Sequence, residues 1–450
     1  MNEVILALAI YMAIGTAIAF YAKGAKTQED YFIGRRNIGG LVSALTYAAT
    51  TYSAFMMVGL VGLSYASGVG AAGFELMYLV GTLFLLSFYA PKIWKTGKEC
   101  NVVSPTEFLS LRYGKETARL AAIICLIALV PYISAQLIGV ALILEISGIE
   151  FYTGIAIAAF LIALWAFIGG LRGVALTDAI QGLFMLFAAL ALLSYVTIKT
   201  DFSRLNELGE ILYVPNSYWN YTRFAALVIP WFFFALTNPQ VFQRIFIPRD
   251  EKALRRMVIY FGLFGLIYTF IVTFLGLELR ILSLDGSFPY VSDRDKVTPT
   301  LMQMVPTWIA LLVCLSILMA SITTANSIIL SLSSMVSRDI VGERGIKVGK
   351  ISIIVLTAIV AIFAARRLEY IVELSVLSST ILLCQLPLII GYFHWNRGGK
   401  FSGILTLIAG FTTSIVFWKV SIAAIPGSAF VITISVLTYV IACLFEKQSS

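Results

Sequence analysis

The sequence predicts an all-α integral membrane protein with about 13 transmembrane helices, and three observations carry that prediction. Apolar stretches fill almost the whole chain, each close to the roughly 20 helical residues that cross a hydrocarbon core about 30 Å thick. Of the 450 residues, 60% are hydrophobic and only 12% charged, with a mean hydropathy of +0.92; a soluble chain of this length needs more charge to cover its surface. The charges that do occur collect in the short intervals between the apolar stretches.

Taken in order, helices are expected near 2–22, 39–66, 70–94, 118–147, 152–170, 174–198, 219–246, 253–283, 299–336, 347–365, 369–395, 401–419 and 427–445. Glycine or proline punctuates many of the junctions, among them Pro91, Gly148, Gly169-Gly170 and Pro426. The first span begins at Val4, too close to Met1 for a basic leading region, and lacks a small-residue cleavage site. It reads as a retained helix and not as a signal peptide. Residues 200–217 mix charge and apolarity and are expected to lie as a short amphipathic piece on the outer surface.

Charge sets the orientation and removes some function classes. The net charge of +8 forms no continuous basic stripe, so nucleic acid is not an expected partner; Lys and Arg act as topology signals. With the N-terminus outside, one side collects Lys23, Lys26, Arg35 and Arg36, then Lys92, Lys95, Lys98, Arg112 and Lys115. The same side collects Arg244, Arg249, Lys252, Arg255 and Arg256, then Arg338, Arg344, Lys347 and Lys350. That side is the cytoplasm by the positive-inside rule. An odd number of helices puts Lys447 there too, with Arg366 and Arg367 as the main exceptions. The expected location is the plasma membrane. Five scattered cysteines with no CxxC, and His394 as the single histidine, give neither a disulfide framework nor a zinc site. With no acidic pair either, an integral membrane enzyme is disfavoured. A channel is disfavoured by the lack of a repeated filter sequence or charged ring. The sequence carries no signal of oligomeric state.

Two spans invite a break at mid-membrane. The first holds Tyr47-Ala48-Ala49-Thr50-Thr51-Tyr52-Ser53-Ala54, followed by Gly59 and Gly62; the other holds Pro230 and Thr237-Asn238-Pro239-Gln240. Proline removes a backbone donor and frees a carbonyl four residues back. The two spans are second and seventh in order, so each opens a unit of five helices, 39–198 and 219–395, the layout of an inverted repeat. Residues 1–38 then form an additional helix and loop, 199–218 an external segment, and 396–450 two further helices. The competing reading is that the small residues only permit close helix packing.

Three further features carry chemistry. In Ala320-Ser321-Ile322-Thr323-Thr324-Ala325-Asn326-Ser327 the spacing puts Ala320, Thr323, Thr324 and Ser327 on one helix face. Neutral hydroxyl and carbonyl oxygens suit a small hard cation better than sulfur or imidazole does, and carbonyls freed between Ala49 and Tyr52 could complete such a shell. Asp178 is a carboxylate in a membrane span, which usually faces a cavity or an ion; a helix-capping role or a pairing with Arg172 competes. Glu75 lies early in its span, where contact with a polar substrate competes with a place in the outer vestibule.

Together these residues resemble the sodium:solute symporter family. Asp30 to Arg36 resembles its "DYFLGGR" loop, and Gly59-Leu60-Val61-Gly62 its "GLxG" element. Gly169 to Gln181 resembles "GGLRAVxWTDxIQ", Asn238 to Arg244 "xPxxxQR", and Met319 to Ser327 with Ser337 to Ile340 "MSTADS…SRDI". The resemblance implies a LeuT-type fold of five plus five inverted helices with extra helices at both ends. It also implies a main sodium site of backbone carbonyls at Ala49, Tyr52 and Ala320 and hydroxyls at Thr323 and Thr324. A second sodium would use Asp178, Asn326 and Ser327, although Asn326 departs from the small or acidic residue usual there. The matching solute positions are Thr51, Ser53, Met56, Glu75, Trp231, Phe234 and Asn238, with Phe234 where some relatives place an aromatic gate. Met56 is apolar where sugar carriers are polar, and Pro239 fits the amino-acid and carboxylate branches. The implied activity is sodium-coupled import of a small polar organic solute. The alternatives are a proton-coupled symporter titrating Asp178 or Glu75, a sugar or pantothenate substrate, and a membrane solute sensor.

Overall fold

The computed structural model describes residues 2–146, 148–343, 345–366, 371–417, 421–422 and 425–446. The expected charges Arg344, Arg367 and Lys447 lie outside them. The chain opens with α1 (Asn2–Tyr21) and a short α2 (Gln28–Ile33), followed by α3 (Gly40–Thr51) and α4 (Phe55–Ser67). Then come α5 (Gly70–Glu99), α6 (Glu107–Ile146), α7 (Phe151–Thr197), α8 (Tyr221–Phe232), α9 (Phe234–Thr237) and α10 (Pro239–Arg244). The second half holds α11 (Glu251–Leu282), α12 (Val297–Met302), α13 (Thr307–Met335), α14 (Ile346–Ala364), α15 (Ile371–Leu382), α16 (Leu386–His394), α17 (Lys400–Phe417) and α18 (Gly427–Phe445).

Among the described residues nine helices are long and apolar enough to cross a membrane, or ten with the pair α3 and α4, which is bent by 55°. The expected pair 152–170 and 174–198 is found as two helices that follow one another without a loop across a kink at Gly170, together called α7. There φ is 53° and ψ −157°, and an added Cβ would sit 2.7 Å from the Tyr31 carbonyl oxygen, so only glycine turns this corner. The expected span 219–246 is interrupted twice, into α8, α9 and α10. Pro230 frees the carbonyl of Ala226, which accepts instead from Ser428 Oγ of α18 at 3.4 Å.

The first broken helix is keyed to α11. The ring of Tyr52 lies among Phe261, Phe264 and Tyr268, and an added Cβ at Gly265 would meet its hydroxyl at 2.1 Å. Lower in the same seam, Gly276 faces the Val61 carbonyl, with Cβ distance 2.4 Å, and Ser64 Oγ donates to the Thr273 carbonyl at 2.6 Å.

Not every expected loop charge is in a loop. Thr27 and Asp30 close a capping box on α2, which reciprocally satisfies two backbone donors. Gly34, Arg35 and Arg36 then run left-handed, with φ of 60°, 57° and 49°. That twist sends Arg35 outward to Asp30, whose carboxyl it holds well below the usual carboxylate range. It sends Arg36 inward, where Nη2 donates to the carbonyls of Gly97 at 2.9 Å and Val102 at 2.6 Å. Arg244 departs further from expectation and is fully buried. The segment expected to be amphipathic forms a mostly exposed 3₁₀ turn, Phe202–Leu212, tied to the α4–α5 joint by Val69 N–H donating to the Ile211 carbonyl at 2.9 Å.

Candidate ion and solute site

The break after α3 sets free the oxygens that the sequence singles out. Tyr52 takes φ −87° and ψ 93°, which ends the helical run. Beyond it Met56 N–H bonds to the Ser53 carbonyl at 3.0 Å, not to Tyr52 as a continuous helix would require. The Tyr52 carbonyl is thereby released. The Ala49 carbonyl accepts from hydroxyls across the helix interface: Thr323 Oγ1 at 3.0 Å and Thr324 Oγ1 at 3.2 Å, both on α13. Thr323 Oγ1 also lies 3.0 Å from the Ala320 carbonyl. Four of the five expected oxygens thus form one buried neutral cluster between α3 and α13, and Tyr52 borders it. Oxygens about 2.4 Å from a hard cation and at right angles to each other stand about 3.4 Å apart. The cluster therefore needs to open only by a few tenths of an ångström to take one.

One turn further toward the loop side, a second cluster joins the same two helices to α7 and α10. Asp178 on α7 is fully buried; Thr46 Oγ1 donates to its Oδ2 at 2.6 Å, and Ser327 Oγ lies at 3.5 Å. Arg244, closing α10, brings Nη2 to 3.8 Å from the same oxygen. Arg244 also donates from Nη2 to Ser327 Oγ at 2.6 Å and from Nε to Thr46 Oγ1 at 3.2 Å. Thr50 Oγ1 completes the knot by donating to Ser327 Oγ at 2.9 Å. Asp178 is thus neither a helix cap nor a partner of Arg172. Of the residues expected around a second sodium, Asp178 and Ser327 meet, while Asn326 Oδ1 has no hydrogen-bond partner among the described residues. The position beside the carboxylate already holds a guanidinium charge.

The expected solute residues converge where α4, α5 and the α8–α9 joint approach. Trp231 and Phe234 stack with centroids 5.2 Å apart, Phe55 stacks on Trp231 at 5.2 Å, and Tyr78 meets Trp231 edge-on at 5.4 Å. Glu75 lies one turn before Tyr78 and is 1% exposed; its Oε2 has no hydrogen-bond partner among the described residues. Met56 is fully buried beside Phe55. Thr51 Oγ1 is engaged by its own helix, donating to the Tyr47 carbonyl at 2.9 Å, and Ser53 Oγ accepts from Phe55 N–H at 3.2 Å. Asn238 stands at the second break with φ −90° and ψ 115°, donates to Thr237 Oγ1 at 3.3 Å, and leaves Oδ1 without a hydrogen-bond partner among the described residues.

Sequence reasoning missed several groups here. The indole N–H of Trp231 and both amide atoms of Gln240 are buried without hydrogen-bond partners among the described residues, and the buried hydroxyls of Tyr78 and Tyr132 face only the hydroxyls of Thr51 and Thr82 and of Ser53. Buried polar atoms are nearly always hydrogen-bonded, so this concentration marks a place built to meet a polar guest. Gln240 was legible as the residue after the Asn238-Pro239 break; the tyrosines, scattered over two apolar helices, were not.

The family model for the sodium:solute symporter family matches residues 31–410. The chain belongs to that family. The symporter is 26% identical over 447 residues to a sodium/pantothenate symporter of Haemophilus influenzae, covering 93% of this chain and 91% of that one. It is 29% identical over 209 residues to the high-affinity proline transporter PutP of Bacillus subtilis, covering 45% and 44% of the two chains. Among solved structures it resembles a substrate-bound, outward-open Na+-coupled sialic acid symporter, with a TM-score of 0.85 at 21% identity over 98% of this chain and 96% of that one. The protein is therefore a multi-pass membrane transporter and not an enzyme, with a fold of the LeuT-like kind.

Proposed function

We propose that this symporter couples the entry of sodium to import of a small polar organic solute, with an amino acid or organic acid favoured, by alternating access. The observation that carries the reading is the neutral cluster, in which α13 hydroxyls from Thr323 and Thr324 converge on the freed Ala49 carbonyl. Sodium held there by Ala49, Tyr52, Ala320, Thr323 and Thr324 replaces three hydroxyl–carbonyl bonds with ion contacts and clips α3 to α13. That fixes the start of α4, which carries Phe55 and Met56 against Trp231, and so shapes the solute pocket with Thr51, Ser53, Glu75, Phe234 and Asn238. By linkage, bound solute tightens sodium equally. The membrane potential contributes about 2.3 kcal/mol per charge per 100 mV.

In this reading the ten spans, together with α1, the part of α7 beyond Gly170 and the interrupted α8–α10, make thirteen crossings, N-terminus outside and C-terminus in the cytoplasm of the plasma membrane. Residues 39–198 and 219–395 are the two inverted repeats. A second sodium beside Asp178 requires Arg244 to leave the carboxylate first. The test is thermal unfolding of purified protein with amino acids, short carboxylates, pantothenate and sugars, in sodium and in choline. Stabilisation by one solute class that needs sodium and disappears in Thr324→Ala supports the reading. Stabilisation that ignores sodium but follows pH, and is lost in Glu75→Gln, supports proton coupling instead, which the unpartnered Glu75 carboxyl favours.

A further inference from the structure

A basic cavity and an apolar groove lie one above the other along the crevice between α1 and α7, and none of the expected ion and solute residues lines either, although Thr177 of the groove precedes Asp178. The cavity, about 380 Å³, sits at the loop end of α1 and is lined by Lys23, Arg35, Asn37 and Arg172, with Asp30 as its one acidic group. Asp30 is tied to Arg35, and Lys23 and Arg172 form no ion pair among the described residues. All three cations are exposed, so the cavity presents a net positive face to whatever enters. The groove, about 370 Å³, lies between α1, α7 and α13 and includes Ile10, Ile14, Ile18, Ile180 and Phe184. Ile10, Ile14 and Ile180 are each half exposed, which opens it to the hydrocarbon. Its polar residues are already engaged: Gln181 Nε2 donates to Tyr11 Oη at 2.7 Å, and Thr177 Oγ1 bonds to the Gly173 and Val174 carbonyls.

The two spaces are stacked on one face. Tyr11, Ile18 and Ala22 recur at helical steps along α1 and share one stripe; the first two line the groove and Ala22 lines the cavity. On α7, Arg172 of the cavity and Thr177 of the groove are five residues apart, about 7.5 Å of helix rise. A basic pocket at headgroup depth, continued by an apolar channel into the bilayer, has the form of one phospholipid. Basic pockets between membrane helices on the cytoplasmic side hold anionic headgroups, and the loop carrying Lys23 and Arg35 is on that side by its charge.

We propose that this crevice is a binding site for one anionic phospholipid of the inner leaflet, its phosphate held by Lys23, Arg35 and Arg172 and one acyl chain lying along Ile14, Ile18 and Phe184. The site is independent of the solute identity and of the coupling ion. A lipid there bridges α1 to the bend at Gly170 and so braces the additional helix against the first repeat.

The test uses the full chain in neutral detergent, with phosphatidylglycerol, phosphatidylcholine of the same chains, and glycerol phosphate as the three probes. Binding is read by native mass spectrometry and by thermal unfolding. Phosphatidylglycerol is expected to bind and stabilise, and the other two probes to do neither. K23Q with R172Q is expected to weaken phosphatidylglycerol roughly fivefold per charge removed while leaving the lipid-free unfolding temperature nearly unchanged, since both side chains are exposed and form no ion pair among the described residues, Lys23 meeting only the Phe20 ring at 5.6 Å. I14W, which fills the groove and keeps every charge, is expected to weaken it as well. Equal binding of the two lipids, equal binding of glycerol phosphate, or unchanged phosphatidylglycerol affinity in K23Q with R172Q would each overturn the proposal.

Discussion

Two polar clusters join α3 to α13 one helical turn apart, and they solve the problem of buried polarity in opposite ways. The cluster at Ala49, Ala320, Thr323 and Thr324 holds only neutral oxygens, satisfied by hydroxyls that can rotate away. The cluster at Thr46, Asp178, Arg244 and Ser327 holds a carboxylate and a guanidinium that answer each other. The cation proposed for the first cluster would sit where no formal charge resides, so its release would not be opposed by a bare anion. Where the chain itself supplies a carboxylate, it also supplies the counter-charge. In this pair the neutral cluster is fit for exchange and the charged one for holding four helices in register.

The strongest way to break the contrast is Arg244→Met. It leaves Asp178 buried without its cation, and removing one partner of such a pair costs about 3–5 kcal/mol, read as a lower unfolding temperature in detergent, with Arg244→Lys recovering part. If stability instead holds and an additional sodium is bound, the charged cluster is itself a cation site and the contrast fails. Next is Thr324→Ala, which removes one oxygen from the neutral cluster. A hydrogen bond or ligand contact to a charged group is worth about 1.5–3 kcal/mol, so sodium affinity in a solute-binding titration should fall on the order of tenfold or more, with stability nearly unchanged. Gly265→Ala acts from a distance: its methyl group collides with the Tyr52 hydroxyl. Overpacking of this kind costs about 1–3 kcal/mol, and it should weaken sodium binding through the displaced Tyr52 carbonyl while solute binding at saturating sodium survives. The smallest effect is expected from Thr50→Val, which deletes one bond to Ser327 on the charged side. About 1 kcal/mol of stability goes with it, and the sodium titration should not move; a shifted titration would mean that the two clusters act as one.

The neutral cluster was legible because its signal is local. A run of small and hydroxylated residues inside an apolar helix stands out, and helical spacing alone puts Thr323 and Thr324 on one face. The charged cluster was not, because Arg244 sits at a span end, where a positive-inside argument files every arginine under topology. Only the short α10, started by Pro239, turns that residue inward. Arg36 stays in the interval between α2 and α3 where charge counting puts it, but its inward direction is set by three left-handed residues that such counting ignores. The break at Gly170 was visible as a glycine pair, yet that the second helix follows the first across a kink with no loop depends on the approach of Tyr31. The aromatic lining around Glu75 was hidden most completely: tyrosines on α5 and α6 look like any other bulky core residue until their buried hydroxyls are seen to share one interior with Glu75, Thr51 and Ser53.

The keying of the broken helix to α11 decides where this molecule can give way. Tyr52 sits in an aromatic box opposite Gly265, while Val61 and Ser64 nest against Gly276 and Thr273. Both halves of the break are thus moulded to one neighbour by shape, and parting them would open voids along the seam. Across the other side, α3 meets the neutral face of α13 through hydroxyls that let go singly and re-form elsewhere. These three helices, α3, α4 and α11, therefore form a slab with one slippery edge, and the proposed ion position lies on that edge.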